Sequence, residues 1–142
     1  MLLQTCLVKT KNKIMLQNSN AFGSFATNNI DEARKFYSQT LGIQVIDNPM
    51  GILELHIKGS TPFIIYPKPT HEPATFTVLS FPVEDIDEAV DALISKGINM
   101  DVYEGFRQDE KGIARSKSAE EGPSIAWFKD PAGNILAVLS DN

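Results

Sequence analysis

The sequence predicts an α+β domain made of two tandem units, each with one strand, one helix and three further strands. Two observations support this prediction: a short pattern occurs twice, and each copy lies among apolar segments of strand length. At 142 residues the chain is long enough for one domain with its own hydrophobic core. We therefore expect a single domain built by duplication.

The repeated pattern is Asn-Ile-Asp-Glu-Ala at residues 29–33 and Asp-Ile-Asp-Glu-Ala at residues 85–89. In each copy a cap residue stands three positions before a glutamate, an arrangement that satisfies free amide groups at a helix N-terminus. Apolar residues at helical spacing follow, until Gly42 in the first copy and Gly97 in the second. Glycine ends a helix readily because it adopts a left-handed conformation, so two helices are predicted.

Apolar segments surround both predicted helices. They are residues 21–27, 43–45, 53–57 and 62–66 in the first half, and residues 76–83, 98–100, 125–128 and 135–139 in the second. A Pro-rich stretch at residues 67–73 separates the halves, because proline is too stiff and too poor in donors for a central strand. Between the last two strands, Pro131 and Gly133 predict a tight hairpin turn.

These segments define the expected boundaries. Residues 1–18 are predicted to be an N-terminal extension, and residues 19–142 a single domain. Within the domain we expect module one at about 19–67, a linker at 68–74 and module two at about 75–142. In the extension an apolar run precedes basic residues, the reverse of a signal peptide. Either Met15 is the natural start, or the preceding residues form an extra edge strand or arm.

Charge and cysteine content exclude several classes of function. The net charge of −5 and the scattered Lys and Arg residues argue against nucleic acid as a partner, because phosphate binding needs clustered cations. An acidic membrane surface would repel the protein, and no apolar span reaches transmembrane length. Cys6 is the single cysteine and cannot form an internal disulfide, which predicts a reducing, cytoplasmic location.

Two motifs carry a family resemblance. They are Ala-Arg-Lys-Phe-Tyr at residues 33–37 followed by Leu-Gly at 41–42, and Trp-Phe-Lys-Asp-Pro-Ala-Gly-Asn at residues 127–134. Together with the repeat, they resemble the vicinal oxygen chelate superfamily of glyoxalases, bleomycin resistance proteins and extradiol dioxygenases, over residues 22–139. The resemblance implies two βαβββ modules whose curved mixed sheets form a cup around a small-molecule ligand, and a homodimer.

Enzymes of this superfamily hold one divalent metal through side chains on the inner strands. The resemblance implies that the four ligand positions fall on Phe22, Tyr66, Val78 and Ala137 in this chain. Three of these side chains are apolar, and the phenol of Tyr66 is a poor substitute for a carboxylate. We therefore predict no metal and no cofactor, which puts in doubt glyoxalase-type isomerisation, extradiol cleavage and thiol transfer to fosfomycin.

A second candidate metal site, formed by two residues, has weaker support. Glu54 and His56 lie two residues apart on a predicted strand, so their side chains point to the same face. Two ligands make a poor metal site, and an ordinary hydrogen-bonded histidine is the alternative. His71, among prolines, is predicted to be a loop residue.

The predicted ligand-binding residues are Phe22, His56, Tyr66, Val78, Tyr103, Trp127 and Ala137. Their apolar and aromatic character suits a partly apolar or planar ligand, with core packing as the alternative role for Trp127. The long polar segment between Tyr103 and Pro123 is predicted to be a lid or a disordered loop.

The sequence thus favours a metal-free binding protein for a small molecule. The first alternative is a lyase or dioxygenase-type enzyme that uses an atypical metal at His56 and Glu54, or an acid/base site at Tyr66 or Tyr103. The second is a structural or regulatory partner whose apolar cup is closed by another chain. No catalytic residue is assigned.

Overall fold

In the computed structural model, residues 15–141 are described, and they contain two sheets with one helix each. The first half consists of β1 (Ser24–Thr27), α1 (Ile30–Lys35), β2 (Gln44–Asp47), β3 (Leu53–His56) and β4 (Phe63–Pro67). The second half consists of β5 (Thr77–Pro82), α2 (Ile86–Ser95), β6 (Ser124–Lys129) and β7 (Ile135–Ser140). The predicted α+β class is confirmed. The predictions for residues 1–14 lie outside the described residues.

The strand order is similar in the two sheets. The first sheet has the order β1-β4-β3-β2, with β1 parallel to β4 and the other pairs antiparallel. In the second sheet the order is β5-β7-β6, with β5 parallel to β7. An antiparallel pair joins β6 to β7 through the predicted hairpin, where Gly133 has a φ of 85°. That conformation favours glycine, so the turn prediction is confirmed.

Both helices begin where the repeated pattern predicts. The side chain of Asn29 accepts a hydrogen bond from Glu32 N at 3.1 Å, and Asp85 accepts one from Glu88 N at the same distance. α1 continues as a π-helical turn at Phe36–Thr40. The chain then leaves the helices through Gly42 and Gly97, whose φ angles of 70° and 88° confirm their predicted role.

The strand predicted at residues 98–100 is wrong, since this segment has no regular structure. In its place, Ala114 forms an isolated antiparallel bridge with Ile125. The intervening loop satisfies its backbone with side chains: Gln108 bonds to Tyr103 N and to the carbonyl oxygens of Asp101 and Gly112. These local bonds replace a strand ladder, a competition that sequence periodicity does not reveal.

A shared hydrophobic core joins the two halves. Its members come from the helix-facing side of both sheets and from both helices, and the large fully buried ones include Tyr37, Leu53, Leu55, Ile65, Val90, Ile113, Phe128 and Leu136. Because the helix sides of the two sheets meet in this shared core, the opposite side of each sheet lies outside it.

A buried polar cluster also connects the halves. The hydroxyl of Tyr37 in the first half donates to Asp130 Oδ2 at 2.7 Å, and Asn134 Nδ2 donates to the carbonyl oxygen of Ala26 at 2.8 Å. Burial, followed by the negative charge and hydrogen bond of Asp130, raises the pKa of Tyr37 far above its usual range. The closing hairpin is therefore both a turn and a link to the first module.

The linker between β4 and β5 contains neither strand nor helix, and His71 lies in it as predicted. No helix among residues 15–141 is long and apolar enough to cross a membrane.

Candidate functional site

Each sheet has one side toward the shared core and one side away from it, which we call the cup face. On β3, Leu53 and Leu55 are fully buried in the core, whereas Glu54 and His56 are half-buried on the opposite side. Strand pairing extends this face to the neighbouring strands. The cup face of the first sheet comprises Ser24, Ala26, Gln44, Ile46, Glu54, His56, Ile64 and Tyr66, and that of the second comprises Ser80, Ile125, Trp127, Ile135 and Ala137.

Three predicted ligand-binding residues meet on the second sheet. Trp127 lies opposite Ala137, and the ring of Tyr103 packs edge-on against the indole with 5.6 Å between centroids. Phe106, which sequence reasoning missed, lies 4.9 Å from the same indole. Trp127 is 9% exposed and Phe106 is 54% exposed. We call Tyr103, Phe106 and Trp127 the aromatic cluster, and Phe106 forms its solvent-facing edge.

The phenol of Tyr103 is already engaged. Its hydroxyl donates to Asp101 Oδ2 at 2.9 Å, and Lys129 Nζ lies 2.8 Å from the same carboxylate oxygen. Burial is the largest cause that raises the pKa of Tyr103, and the hydrogen bond and charge of Asp101 add to it. A phenol held in this way loses its proton less readily than an ordinary tyrosine, which weakens the acid/base hypothesis for this residue.

Tyr66 and His56 both lie on the cup face of the first sheet but at opposite ends of the β3–β4 pair, since Leu53 pairs with Ile65 and Leu55 with Phe63. Tyr66 is 41% exposed and stands opposite Ala26 on β1. Phe22 is half-buried just before β1 and has the same strand parity as Ser24. The predicted residues therefore form two groups, one at each sheet, instead of one continuous lining.

Val78 belongs to neither group. The pairing of β5 with β7 shifts between Thr77 and Leu79, so that Val78 is an extra residue at a bulge and packs against the shared core. Ser80 is the β5 residue that pairs with Ala137 on the cup face. Counting eight residues back from Ile86 reached Val78 at the bulge and not Ser80, because the count carries no information on strand pairing.

Glu54 and His56 form a hydrogen-bonded pair. His56 Nε2 lies 3.0 Å from Glu54 Oε1, and Asn48 Nδ2 donates to Glu54 Oε2 at 3.1 Å. The hydrogen bond from Asn48, then that from His56, lowers the pKa of Glu54, so the side chain is a carboxylate at neutral pH. Asn48 was not foreseen; its position in the β2–β3 turn was the only sequence signal.

The side chains present do not fit the divalent metal that the superfamily resemblance implies. Phe22, Val78 and Ala137 have no atom that can bind a metal, and Val78 is not on a cup face. Residues 15–141 contain no group of three or more His, Cys, Asp or Glu side chains placed to hold a metal ion. Glu54 and His56 provide two candidate metal ligands, and their side chains are hydrogen-bonded to each other.

The long polar segment is held against α2 by ion pairs. The guanidinium of Arg115 bonds to both carboxylate oxygens of Asp87, at 2.7 and 3.0 Å, and to Asp109 at 2.9 Å. Lys111 Nζ lies 2.9 Å from Asp91 Oδ1. Asp109 also accepts hydrogen bonds from the backbone of its own loop. The base of the segment is therefore fixed, which places Phe106 beside Trp127.

Cavities of about 410, 230 and 210 Å³ lie in the described part of the chain. The largest is lined by the polar segment, including Arg107 and Lys117, and the smallest lies between the halves on the core side. None of these three is lined by cup-face side chains of both sheets.

Comparison with solved structures shows the same fold in several proteins. A glyoxalase family protein from Bacillus anthracis is 21% identical with a TM-score of 0.68, and the match covers 94% of this chain and 100% of that one. TnmS3, an antibiotic binding protein from Streptomyces sp. CB03234, is 23% identical with a TM-score of 0.63, covering 85% and 93%. The fosfomycin resistance protein FosX from Listeria monocytogenes is 12% identical with a TM-score of 0.62, covering 86% and 92%.

No curated protein matches the chain. The family model described as Glyoxalase/Bleomycin resistance protein/Dioxygenase superfamily matches residues 20–138, which include both modules and the closing hairpin. The chain therefore belongs to the glyoxalase, bleomycin resistance protein and dioxygenase superfamily.

Proposed function

We propose that this chain binds a small, planar and partly apolar molecule on its cup faces without a metal ion. The observation that carries the proposal is the apolar character of Phe22 and Ala137 at two positions where the superfamily resemblance implies metal ligands, together with Ser80 as the cup-face neighbour of Ala137. Where metal-ligating side chains are replaced by apolar ones, the cup face offers apolar and aromatic surface, which suits a planar, partly apolar molecule. The aromatic cluster supplies such surface on the second sheet, and Ile46 and Tyr66, both about two-fifths exposed, supply it on the first.

One copy of the chain offers the two halves of such a site on separate surfaces. The helix sides of both sheets are used in the shared core, so the cup faces point outward. A two-fold axis that brings the first sheet of one copy to the second sheet of another would create two equal cups. We therefore propose a homodimer in which each ligand lies between the cup face of the first sheet of one copy and the aromatic cluster of its partner.

The dimer is tested by light scattering on the full chain over a wide range of concentrations. We expect twice the mass of the single chain, with dissociation only on strong dilution. A monomeric mass at every concentration would contradict the shared cup, and the ligand would then have to bind to one sheet alone.

Ligand binding can be followed through Trp127, the only tryptophan of the chain. Titration with 4-nitroanisole, a planar nitroaromatic ether, is expected to quench its fluorescence in a saturable way. Ile46→Ala should weaken binding about fivefold, or about 1 kcal/mol, because it removes apolar surface at the cup face.

Ile94→Ala is the matched control for this experiment. Ile94 is 44% exposed, close to the 40% of Ile46, but it lies on α2, away from both cup faces. Its replacement should leave the affinity for 4-nitroanisole unchanged. Equal effects of the two substitutions, or no saturable quenching in the unmodified chain, would refute the proposed site.

The rival is a lyase or dioxygenase-type enzyme with an atypical metal at Glu54 and His56. The mutual hydrogen bond of these residues gives it little support, since each would have to leave its present partner to bind a metal. Elemental analysis of untagged protein purified without chelator tests it: one metal per chain would favour the enzyme. The single cysteine, which cannot form an internal disulfide, supports a cytoplasmic location for either function.

A further inference from the structure

A chain of three polar side chains crosses the cup face of the first sheet. Asn48 donates to one oxygen of Glu54, and the other oxygen faces His56 Nε2 at 3.0 Å. Asn48 is itself oriented by the β2–β3 turn, where its Oδ1 accepts a hydrogen bond from Met50 N at 2.9 Å. Both carboxylate oxygens of Glu54 therefore have hydrogen-bond partners, and the contact with Glu54 fixes the orientation of the His56 imidazole ring.

This arrangement decides which nitrogen of His56 is free. A carboxylate can only accept hydrogen bonds, so Nε2 must carry the proton that points to Glu54. In the neutral ring Nδ1 then has a lone pair and no hydrogen. No group among residues 15–141 donates to Nδ1 in the structure. Within the described residues the pair thus presents one unused hydrogen-bond acceptor.

Within residues 15–141, the cup-face neighbours of the pair are mostly uncharged. Glu54 lies between Ile46 on β2 and Ile64 on β4, and Gln44 stands opposite His56. Tyr66 on β4 is the other titratable residue of this cup face, and Lys58 follows the end of β3 as an exposed residue. The side chains of Glu54 and His56 are 20% and 32% exposed. Apolar neighbours reduce competition from water and strengthen a hydrogen bond made there.

We propose that His56 Nδ1 accepts a hydrogen bond from an acidic O–H group of the bound molecule, so that the cup prefers phenols and enols to their ethers. This inference rests on the proposed function, because it needs a ligand on the same face. When the O–H is acidic enough, its bond to hydrogen breaks and an N–H bond forms at Nδ1. The His56 imidazolium then faces the new oxyanion of the ligand, and the negative charge of Glu54 stabilises the imidazolium.

The test compares 4-nitrophenol with 4-nitroanisole, which share the nitroaromatic ring and differ in that a methyl group replaces the acidic proton in the ether. We expect the full chain to bind the phenol at least about tenfold more tightly, with the absorption band of the phenolate increased in the bound form. His56→Phe keeps a planar ring near Glu54 but removes the acceptor at Nδ1, so it should abolish the preference. Glu54→Gln should reduce it, and His71→Phe, the same substitution at the other histidine, should leave it intact.

The outcomes separate this inference from the proposed function. Equal affinity for both probes refutes the role of His56 but leaves a metal-free apolar site standing, whereas binding of neither probe refutes both. Retention of the preference in His56→Phe also refutes it. Nitrogen NMR of the His71→Gln protein, which has a single histidine, provides a readout that does not need a ligand. The Nε2–H tautomer is expected, and the Nδ1–H tautomer would overturn the inference.

Discussion

Replacing Asp130 with alanine is expected to lower the free energy of unfolding by about 3 to 5 kcal/mol. Asp130 Oδ2 accepts from the Tyr37 hydroxyl and from Asn134 Nδ2, and Oδ1 accepts from the amides of Ala132 and Asn134. The residue is 5% exposed, so water cannot replace it as acceptor. The substitution would leave buried donors without an acceptor both in the turn, at Ala132 and Asn134, and between the halves, at Tyr37. Urea denaturation followed by circular dichroism measures the loss.

Two further variants make this result interpretable. Tyr37→Phe removes one donor while the carboxylate keeps three, so a smaller loss of about 1 to 2 kcal/mol is expected. Asp141→Ala removes an exposed aspartate from the end of the described chain and should change stability little. If Asp130→Ala were no more destabilising than Asp141→Ala, the polar cluster would not hold the two halves together.

Trp127→Ala is expected to cost about 3 kcal/mol of stability and to abolish binding of planar ligands. The indole is nearly buried and packs with the rings of Tyr103 and Phe106, so truncation would leave a cavity under the polar loop. Denaturation must be followed by circular dichroism, because the only tryptophan is lost. Equilibrium dialysis with 4-nitroanisole measures binding.

Phe106→Ala is the control for the structural part of this effect. Phe106 is 54% exposed, so its removal should cost less than about 1 kcal/mol while weakening ligand binding. A change of stability below 1 kcal/mol in Trp127→Ala would show that the aromatic cluster contributes little to the fold. Undiminished binding in Trp127→Ala would place the ligand away from the second sheet.

Local patterns predicted most of the fold because they act over a few residues. The capping residues Asn29 and Asp85 begin the helices, and glycines with positive φ end them. The prediction failed at residues 98–100, which have no regular structure. The next residue, Asp101, makes a backbone hydrogen bond to Trp127, and its carbonyl oxygen accepts one from the Gln108 side chain. These contacts depend on the geometry of the whole loop, so periodicity alone could not predict them.

The candidate site was less predictable than the fold. Parity along a single strand correctly placed Glu54 and His56 on one face, and motif position placed Trp127 and Ala137 in one group. The bulge at Val78 was invisible to counting, and it puts Ser80 beside Ala137. Phe106 lies far from Trp127 in the chain and reaches it because Arg115 and Lys111 bind the loop to α2.

The sequence by itself determined the duplicated pattern, the helix starts and the closing hairpin, since each follows from residue type and short-range spacing. Only the tertiary structure decided that the helix sides of both sheets meet in one core and leave the cup faces outside it. It also decided that Asp130 bonds to Tyr37 across the two modules and that Glu54 orients His56. These contacts depend on packing between segments distant in the chain, which residue spacing does not encode.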